Sequence, residues 1–473
     1  MDSKSMKSKE GGIIYLVMKM DFSTVAFYNP WWDEKSENRS LTFHLVDKYE
    51  SSSFKRDYSG LFDLSGNNLY VVRGPRQIGK STLLKFSIAN LLKSGERRSV
   101  LYLPLDTISR ADELRGLLIQ YLQFSRNEKK RYIFIDEITM VDQWQRAVKE
   151  VRDNTEMVSD FFALSGSSAS DLKRSSERLP GRKGQSGADI LLLPLTFREY
   201  LSCRKVDGLP KCQPEDILKM VPADSFELLI KNEILKAEFF NYIASGGFPS
   251  AVEAYAKSES RDTLVNTFWE ILIGNIERYG LSRAKLIQIL TYVSSRLSSR
   301  FSWSSAASEA EIDTKTFQKY VEVLGIDYLL LTLKHMDQKT HLPSEKKQKK
   351  IYYCDRLISD VVSQKLGLQL DRSAILENIM TTNCAFAFGK NLENGLDSIT
   401  DVGFWYSKEG KEIDLLVKHV PIELKYQNSI TPQDLSTIKR HFKKGIILSK
   451  HTLDLSGDIK ILPLHIFLAI TGQ

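Results

Sequence analysis

The sequence predicts an α/β fold whose core is a parallel, doubly wound sheet. Short apolar runs typical of buried strands alternate with stretches of helical periodicity through the first half of the chain. The first run breaks at a glycine-rich turn and continues into a helical pattern, so strand, loop and helix follow one another directly. The strand-like runs are Leu69–Val72, Ser99–Leu105, Arg131–Glu137, Asp160–Ser168 and Ile190–Leu195.

The glycine-rich turn reads Gly74-x4-Gly79-Lys80-Ser81, the P-loop pattern in its expected place between a strand and a helix. Its glycines let successive backbone N–H groups point at phosphate oxygens, and the helix N-terminus adds a partial positive charge. Lys80 can reach the β- and γ-phosphates, and the Ser81 hydroxyl can bind Mg²⁺. We therefore expect ATP and Mg²⁺ as cofactors. The predicted ATP-binding residues of the loop are Gly74, Pro75, Arg76, Gln77, Ile78, Gly79, Lys80, Ser81 and Thr82.

Two carboxylates, Asp136 and Glu137, end the third strand-like run. Ligands of open α/β sheets bind at the carboxyl ends of the strands, so this pair should face the P-loop. We predict that Asp136 holds Mg²⁺ and that Glu137 polarises the attacking water. A helix cap is the alternative, but a cap would need only one acidic residue. The fourth run ends in hydroxyls, of which Ser167 is the predicted sensor of the γ-phosphate.

Several sequence blocks resemble those of archaeal and bacterial ATPases of the AAA-type superfamily. The blocks are GPRQIGKST, IFIDEI, LSGSSASDL, LPGR, LPLTFREYL and ASGGFPSAV. The resemblance implies an additional-strand ATPase core with Asp136 and Glu137 as its acidic pair. It also suggests Arg182 as an arginine that faces phosphate or reaches a neighbouring subunit, although an arginine after Pro-Gly can equally anchor a loop. A homo-oligomer is therefore left open.

The sequence pattern changes at residue 284, and residues 284–370 predict a winged helix-turn-helix. Three helical patterns precede a β-like run at Tyr328–Leu333, a basic loop at Lys346–Lys350 and a returning strand at Ile351–Cys354. In the third helix, Lys315, Gln318 and Lys319 should be exposed. We interpret the lysine cluster as a wing tip that contacts DNA phosphates, with protein packing as the alternative role.

The last third of the chain contains a second set of charged residues. Asp414 and Glu423 lie on consecutive predicted strands, and Lys425 shares the face of Glu423 because side chains alternate along a strand. Two carboxylates and a lysine that converge can bind Mg²⁺ and activate water against a phosphodiester. The set resembles the PD-(D/E)xK nuclease superfamily. That resemblance implies catalytic roles for Asp414, Glu423 and Lys425, and for Glu377 as the extra acidic residue of the first helix.

The totals are those of a globular protein with 42% hydrophobic and 26% charged residues. Lysine and arginine number 66 against 59 aspartate and glutamate, which permits an anionic partner without requiring one. The four cysteines lack metal-binding spacing, and no apolar run reaches the length of a membrane span, so we expect a cytoplasmic protein. The predicted units are an N-terminal extension (1–65), an ATPase core (66–205), a helical lid (206–283), a winged helix-turn-helix (284–370) and a nuclease-like domain (371–473).

Two functions fit these features. The first is an ATP-hydrolysing, DNA-processing enzyme with a metal-dependent nuclease domain. The second is an ATP-driven regulatory switch whose winged helix and C-terminal domain only bind DNA or a protein partner. The complete set of Asp414, Glu423 and Lys425 favours the enzyme.

Overall fold

The computed structural model describes residues 21–33, 40–52, 54–95, 97–166 and 184–472, with only the backbone of residues 40–42. Two predicted site residues, Ser167 and Arg182, lie outside this described part. Helices of the first half are α1 (Phe22–Tyr28), α2 (Ser40–Ser51), α3 (Lys80–Lys93), α4 (Ala111–Phe124), α5 (Trp144–Asn154) and α6 (Phe197–Cys203). Its strands are β1 (Leu69–Arg73), β2 (Val100–Pro104), β3 (Tyr132–Asp136), β4 (Phe161–Ser165) and β5 (Asp189–Leu191).

The five strands form one sheet in the order β2-β3-β4-β1-β5, and every pairing is parallel. The residues of β1, β2 and β4 are all buried, as their continuous apolar runs require. Strand β4 lies between β1 and β3, with Leu69 opposite Phe162. The predicted parallel core is confirmed. Because all strands run in the same direction, the carboxyl ends of β1 and β3 lie on the same side of the sheet.

The N-terminal segment covers the edge strand β2. The Asn29 side chain donates a hydrogen bond to the Tyr102 carbonyl (2.8 Å) and accepts one from the Tyr102 N–H (2.7 Å). The indole N–H groups of Trp31 and Trp32 both donate to the carbonyl of Val100. These side chains satisfy backbone groups that an open sheet edge would expose. The two tryptophans are therefore packing residues.

A helical region follows the first sheet. Its glycine pair is held by a buried carboxylate, since the Gly247 N–H donates to Asp355 Oδ2 (2.7 Å). Gly246 has a φ of 77°, and a Cβ at this position would overlap Asp355 Oδ1. The contact fixes the predicted lid against the segment that follows the wing strands. The helices are α7 (Pro214–Ile217), α8 (Ser225–Ile230), α9 (Asn232–Ser245), α10 (Pro249–Ala256) and α11 (Asp262–Arg278).

The region of the predicted winged helix contains three helices, an antiparallel pair of strands and a fourth helix after the strands. The Asp313 side chain caps its third helix by accepting from the Thr316 N–H (2.9 Å), and Phe317, Val321 and Leu324 are buried as the periodicity indicates. The elements are α12 (Arg283–Ser295), α13 (Trp303–Glu309), α14 (Thr314–Ile326), β6 (Leu330–Met336), β7 (Pro343–Tyr353) and α15 (Arg356–Leu366).

The basic segment Lys346–Lys350 is not the loop that we expected from the sequence. It lies inside β7, and residues 337–342 form the tip of the hairpin instead. Lys349 and Lys350 are buried at 3% and 1% exposure, whereas Lys346 and Lys347 are exposed. The prediction of a five-residue wing tip is therefore wrong. Strand pairing and buried carboxylates outweigh the tendency of a lysine run to remain in solvent.

The C-terminal third joins the two wing strands in a mixed seven-stranded sheet of order β12-β11-β10-β9-β8-β6-β7. Strands β8, β9 and β10 pair antiparallel, while β10, β11 and β12 pair parallel. The boundary expected at residue 370 therefore separates segments that share one sheet. The elements are α16 (Arg372–Phe388), β8 (Val402–Tyr406), β9 (Glu412–Val417), β10 (Val420–Lys425), α17 (Ser436–His441), β11 (Gly445–Ser449), β12 (Ile459–Pro463) and α18 (Leu464–Ile470).

Candidate functional site

The P-loop turns between β1 and α3 through two glycines in the left-handed region. Gly74 has a φ of 141° and Gly79 a φ of 103°. A Cβ at Gly74 would overlap the carbonyl oxygen of Leu192, and one at Gly79 would overlap the hydroxyl of Tyr58. Both positions therefore require glycine for conformation and for space.

Lys80 begins helix α3 and is buried at the centre of the loop. Its ammonium group donates to the carbonyl oxygens of Gly74 and Pro75, each at 2.9 Å. Burial lowers the pKa of Lys80, while the nearby carboxylates of Glu137 and Asp136 act in the opposite direction. The predicted lysine and the predicted acidic pair thus lie in one electrostatic environment.

Asp136 is buried at the carboxyl end of β3 and is held by two hydroxyl groups. It accepts hydrogen bonds from Ser165 Oγ and from the Tyr102 hydroxyl, the latter at 2.9 Å. Ser165 also accepts from the backbone N–H of Glu137 at 3.1 Å. Sequence reasoning selected the hydroxyls after β4 but did not identify Ser165 or Tyr102. Both contacts join neighbouring strands, so only the strand order could have revealed them.

A cavity of about 580 Å³ opens beside the loop, a size suited to a small organic ligand. Most of the predicted phosphate-binding residues reach it, and Glu137 lies on its wall. Asp136, Gly74, Pro75 and Ile78 are not among the lining residues. The predicted residues that line the cavity are Arg76, Gln77, Gly79, Lys80, Ser81, Thr82 and Glu137.

The rest of the cavity wall comes from residues that sequence analysis did not select. Tyr49 and Tyr58 line it with ring centroids 5.2 Å apart, and Phe86 packs against both rings. Ser250 and Glu253 contribute from the first turns of α10, directly after the glycine pair. The sequence signal was present in the ASGGFPSAV block, but no local pattern indicated that this block faces the loop.

The second predicted site lies on the mixed sheet. Strands β9 and β10 pair antiparallel with Leu415 opposite Ile422, so Asp414 and Glu423 occupy the next opposite positions. Residues opposite each other in such a pair have Cβ atoms about 5 Å apart and share a face. Asp414 Oδ2 accepts a hydrogen bond from the Leu424 N–H at 2.8 Å. The two predicted carboxylates therefore converge.

Lys425 follows on the same face, as strand alternation predicts. Its ammonium group forms an ion pair with Glu423 Oε1 at 2.7 Å. The other carboxylate oxygen of Glu423 is buried and has no hydrogen-bond partner in the described part of the chain. Burial raises the pKa of Glu423 to about 8, and the carboxylate of Asp414 adds to the shift.

Glu377 reaches the same cluster from helix α16, which packs on β7, β8 and β9. It accepts a hydrogen bond from the Tyr352 hydroxyl (2.7 Å) and pairs with Lys350 (2.9 Å). Lys350 also pairs with Glu412 at 2.5 Å. Burial raises the pKa of Glu377 to about 7, and Asp414 is the main charge acting in the same direction. Sequence analysis missed Lys350, Tyr352 and Glu412.

Glu377, Glu412, Asp414 and Glu423 form a carboxylate cluster, and the chemistry of its oxygens suits a hard divalent cation. Carboxylate oxygens are the ligands that Mg²⁺ prefers, and the negative charge of Asp414 acts on Glu423, which has a buried oxygen without a hydrogen-bond partner among the described residues. As the side chains stand, no group of three or more acidic, histidine or cysteine residues in the described part of the chain is arranged to hold a metal ion. The donors of Asp414 and Glu423 fit such an ion as a pair.

Residues 66–201 match a protein family described as an AAA domain, and residues 236–360 match one described as a domain of unknown function. The first match spans the five-stranded sheet, the P-loop and the acidic pair. The chain therefore contains an α/β domain of the P-loop ATPase class.

Two relatives are similar over most of their length. An uncharacterized protein of Haemophilus influenzae is 24% identical over 403 residues, which cover 80% of this chain and 89% of that protein. An uncharacterized protein of Methanocaldococcus jannaschii is 24% identical over 366 residues, which cover 74% and 72%.

Solved structures with partial similarity include the ORC2 protein of Aeropyrum pernix in ADPNP and ADP complexes. It is 13% identical, covers 71% of this chain and 98% of its own, and gives a TM-score of 0.34. The ORC1 protein of the same organism in complex with DNA is 12% identical, with coverage of 63% and 86% and a TM-score of 0.29. AMPPCP-bound DnaA from Aquifex aeolicus is 16% identical, with coverage of 63% and 92% and a TM-score of 0.22.

Helices in the described ranges are all too short or too polar to cross a membrane. Each of the four cysteines has a free thiol.

Proposed function

We propose that the protein binds and hydrolyses ATP and uses this activity in processing DNA. One observation carries the first part, namely that Lys80, Ser81 and Glu137 line one cavity at the carboxyl edge of the parallel sheet. A lysine and a helix N-terminus supply positive charge for phosphates, and an acidic residue lies beside them.

In this proposal the residues predicted from the sequence have defined tasks. Backbone N–H groups of the loop and the Lys80 ammonium bind the β- and γ-phosphates. Mg²⁺ would be held by the Ser81 hydroxyl and by Asp136 and would neutralise phosphate charge when bound. Glu137 orients and polarises the attacking water. The roles given to Ser167 as γ-phosphate sensor and Arg182 as phosphate-facing arginine remain predictions.

We place DNA cleavage at the carboxylate cluster. Asp414 and Glu423 would hold a divalent cation, which polarises a phosphodiester and lowers the pKa of bound water. Lys425, paired with Glu423, lies where its ammonium group can stabilise negative charge on a phosphodiester. Glu377 completes the acidic wall from α16. The match to the nuclease motif rests on these four residues and on the convergence of their side chains.

DNA binding is proposed for the helices that precede the wing strands. Lys315 and Lys319 are exposed on α14, and Gln318 between them is half-buried. Lys346 and Lys347 are exposed as well, on β7, and the chain carries a net charge of +7. Such a surface favours contacts with phosphates, which position a protein on DNA without reading its sequence.

A regulatory switch is the second candidate, and one contact favours it. Arg73, the last residue before the P-loop, donates a hydrogen bond to the carbonyl oxygen of Glu393 at 3.0 Å. Tyr328, which follows α14, donates to the same carbonyl at 3.3 Å. Through these two hydrogen bonds, a conformational change at the P-loop is connected to the segment between α16 and the mixed sheet.

The two candidates are separated by measuring cleavage of branched, single-stranded and double-stranded DNA in Mg²⁺ or Mn²⁺, with and without ATP. If the protein is a DNA-processing enzyme, it should cleave DNA, and cleavage should disappear in Asp414→Ala. If the protein is a regulatory switch, no substrate should be cleaved, and adding ATP should change its affinity for DNA or for a partner. ATP hydrolysis is measured in parallel, and its absence would contradict the first part of the proposal.

A further inference from the structure

Lys350 is the least expected member of the carboxylate cluster. It comes from β7, a strand of the predicted wing, and is 1% exposed. Its ammonium group lies 2.9 Å from Glu377 and 2.5 Å from Glu412. Two strands separate β7 from β9 in the sheet, so the contact with Glu412 depends on the length of the lysine side chain.

Strand alternation explains why this lysine, and not its neighbour, enters the cluster. Lys350 and Tyr352 share one face of β7, and both bind the same oxygen of Glu377. Lys349 points to the other face, where its ammonium donates to the carbonyls of Glu345 and Lys347 and lies over the ring of Trp303. A buried lysine that pairs with two carboxylates has a specific local role.

The charges of the cluster show what that role is. Four carboxylates lie within it, and their charge is partly offset by two ammonium groups and by the guanidinium of Arg300, which lies 2.8 Å from Glu412. Lys425 neutralises Glu423, and Lys350 engages Glu377 and Glu412, so that no ammonium group of the described residues forms an ion pair with Asp414. A divalent cation that uses Glu377 as a ligand must compete with Lys350 for the same carboxylate.

We infer that Lys350 is an internal cation that occupies the Glu377 side of the cluster and weakens divalent cation binding there. It is a positioning residue, because it acts through Glu377 and Glu412. The inference rests on the proposed metal-dependent cluster. It adds a residue of the wing hairpin as the element that sets how tightly this cluster binds metal.

The test is Mn²⁺ binding to the full-length protein, measured by calorimetry for wild type and Lys350→Met. Removing a positive charge this close to the carboxylates should tighten Mn²⁺ binding about tenfold or more, because two cations in a buried site repel each other strongly. Lys350→Arg keeps the charge and should bind Mn²⁺ as weakly as wild type. Lys334→Met serves as a control, since Lys334 pairs with Glu345 outside the cluster.

Stability gives a second readout. Lys350→Met leaves Glu377 without its cation, while Glu412 keeps its ion pair with Arg300 at 2.8 Å. Its melting temperature should therefore fall without metal and rise with Mn²⁺ more than that of wild type. If Lys350→Met does not fold, the double variant Lys350→Met with Glu412→Gln removes one charge of each sign. That variant should also bind Mn²⁺ several times more tightly than wild type.

Unchanged or weaker Mn²⁺ binding in the folded Lys350 variants would overturn the inference while leaving the cluster as a metal site. Combining each variant with Asp414→Ala distinguishes this result from failure of the proposed function. Binding that survives Asp414→Ala, or no binding in any variant, would show that the cluster is not the metal site and would overturn both.

Discussion

Lys80 of the P-loop donates a hydrogen bond to the carbonyl oxygen of Gly74, six residues earlier in the same loop, at 2.9 Å. The side chain that should bind phosphate is therefore held by the loop itself. Phosphate oxygens are charged acceptors and form stronger bonds with an ammonium group than neutral carbonyls do. We expect a nucleotide to draw Lys80 away from these carbonyls.

Replacing Lys80 with alanine should lower the rate of ATP hydrolysis at least about a hundredfold and weaken nucleotide binding. The substitution removes the buried ammonium group that serves the transferring phosphate. Steady-state ATPase rates and titration with a fluorescent ATP analogue provide the measurement. Lys93→Ala, at the exposed end of the same helix, should behave as wild type. Equal turnover in Lys80→Ala would show that this loop is not the active site.

Glu137→Gln should bind ATP with little change but hydrolyse it about a hundredfold or more slowly. The amide keeps the size of the side chain and removes the group that polarises water. Glu137 has a φ of 53°, which glutamine tolerates as well as glutamate does. A single-turnover experiment with radiolabelled ATP separates binding from hydrolysis. Wild-type hydrolysis in this variant would place the base elsewhere.

Asp414→Ala should abolish DNA cleavage and leave ATP hydrolysis and DNA affinity largely intact. Asp414 belongs to the mixed sheet, and its nearest charged partners are those of the carboxylate cluster rather than the P-loop. Glu423→Ala and Lys425→Ala should give the same loss, since the three residues act as a unit. Asp458→Ala, at an exposed position of the same domain, is the control. Cleavage that persists in Asp414→Ala would rule out this site.

Changing Lys346 and Lys347 together to alanine should weaken DNA binding and reduce its salt dependence. Each lost phosphate contact lowers the slope of log K against log salt concentration by about 0.9. Fluorescence anisotropy over a range of salt concentrations gives this slope. Lys349 and Lys350 are omitted because they are buried. An unchanged slope would mean that this part of β7 does not contact DNA.

Stability should fall as the pH drops from about 6.5 to about 4 because of His465. This residue of α18 is 3% exposed, and its Nε2 lies 2.9 Å from Asn232 Oδ1. Burial lowers the pKa of His465 to about 4. Its imidazole stays neutral in the folded state, whereas the unfolded chain takes up a proton below pH 6.5. The loss in unfolding free energy approaches about 3 kcal/mol at pH 4.

Urea unfolding at several pH values measures this effect. His465→Gln, which keeps a hydrogen-bonding side chain, should show a flatter decline between pH 6.5 and pH 4 than wild type. His44→Gln, at an exposed position, should follow the wild-type curve. Parallel curves for His465→Gln and wild type would exclude His465 as the titrating group.

Features written into a few consecutive residues could be predicted from the sequence. The loop from Gly74 to Thr82 depends on glycines at fixed spacing, and the strand before it on a continuous apolar run. Asp414, Glu423 and Lys425 could be grouped because strand alternation and a short hairpin dictate which side chains share a face. The predicted position of the lysines of β7 was wrong, because composition alone indicates that a run of basic residues is exposed to solvent.

The sequence by itself determined the parallel sheet, the P-loop and the acidic residues at the ends of the strands, since each is a local pattern. Only the tertiary structure decided which distant side chains complete the sites. Tyr58 reaches Gly79, Tyr102 reaches Asp136, and Lys350 reaches Glu377 across separate elements. Strand order and close packing set these contacts, and neither of them leaves a periodic signal in the chain.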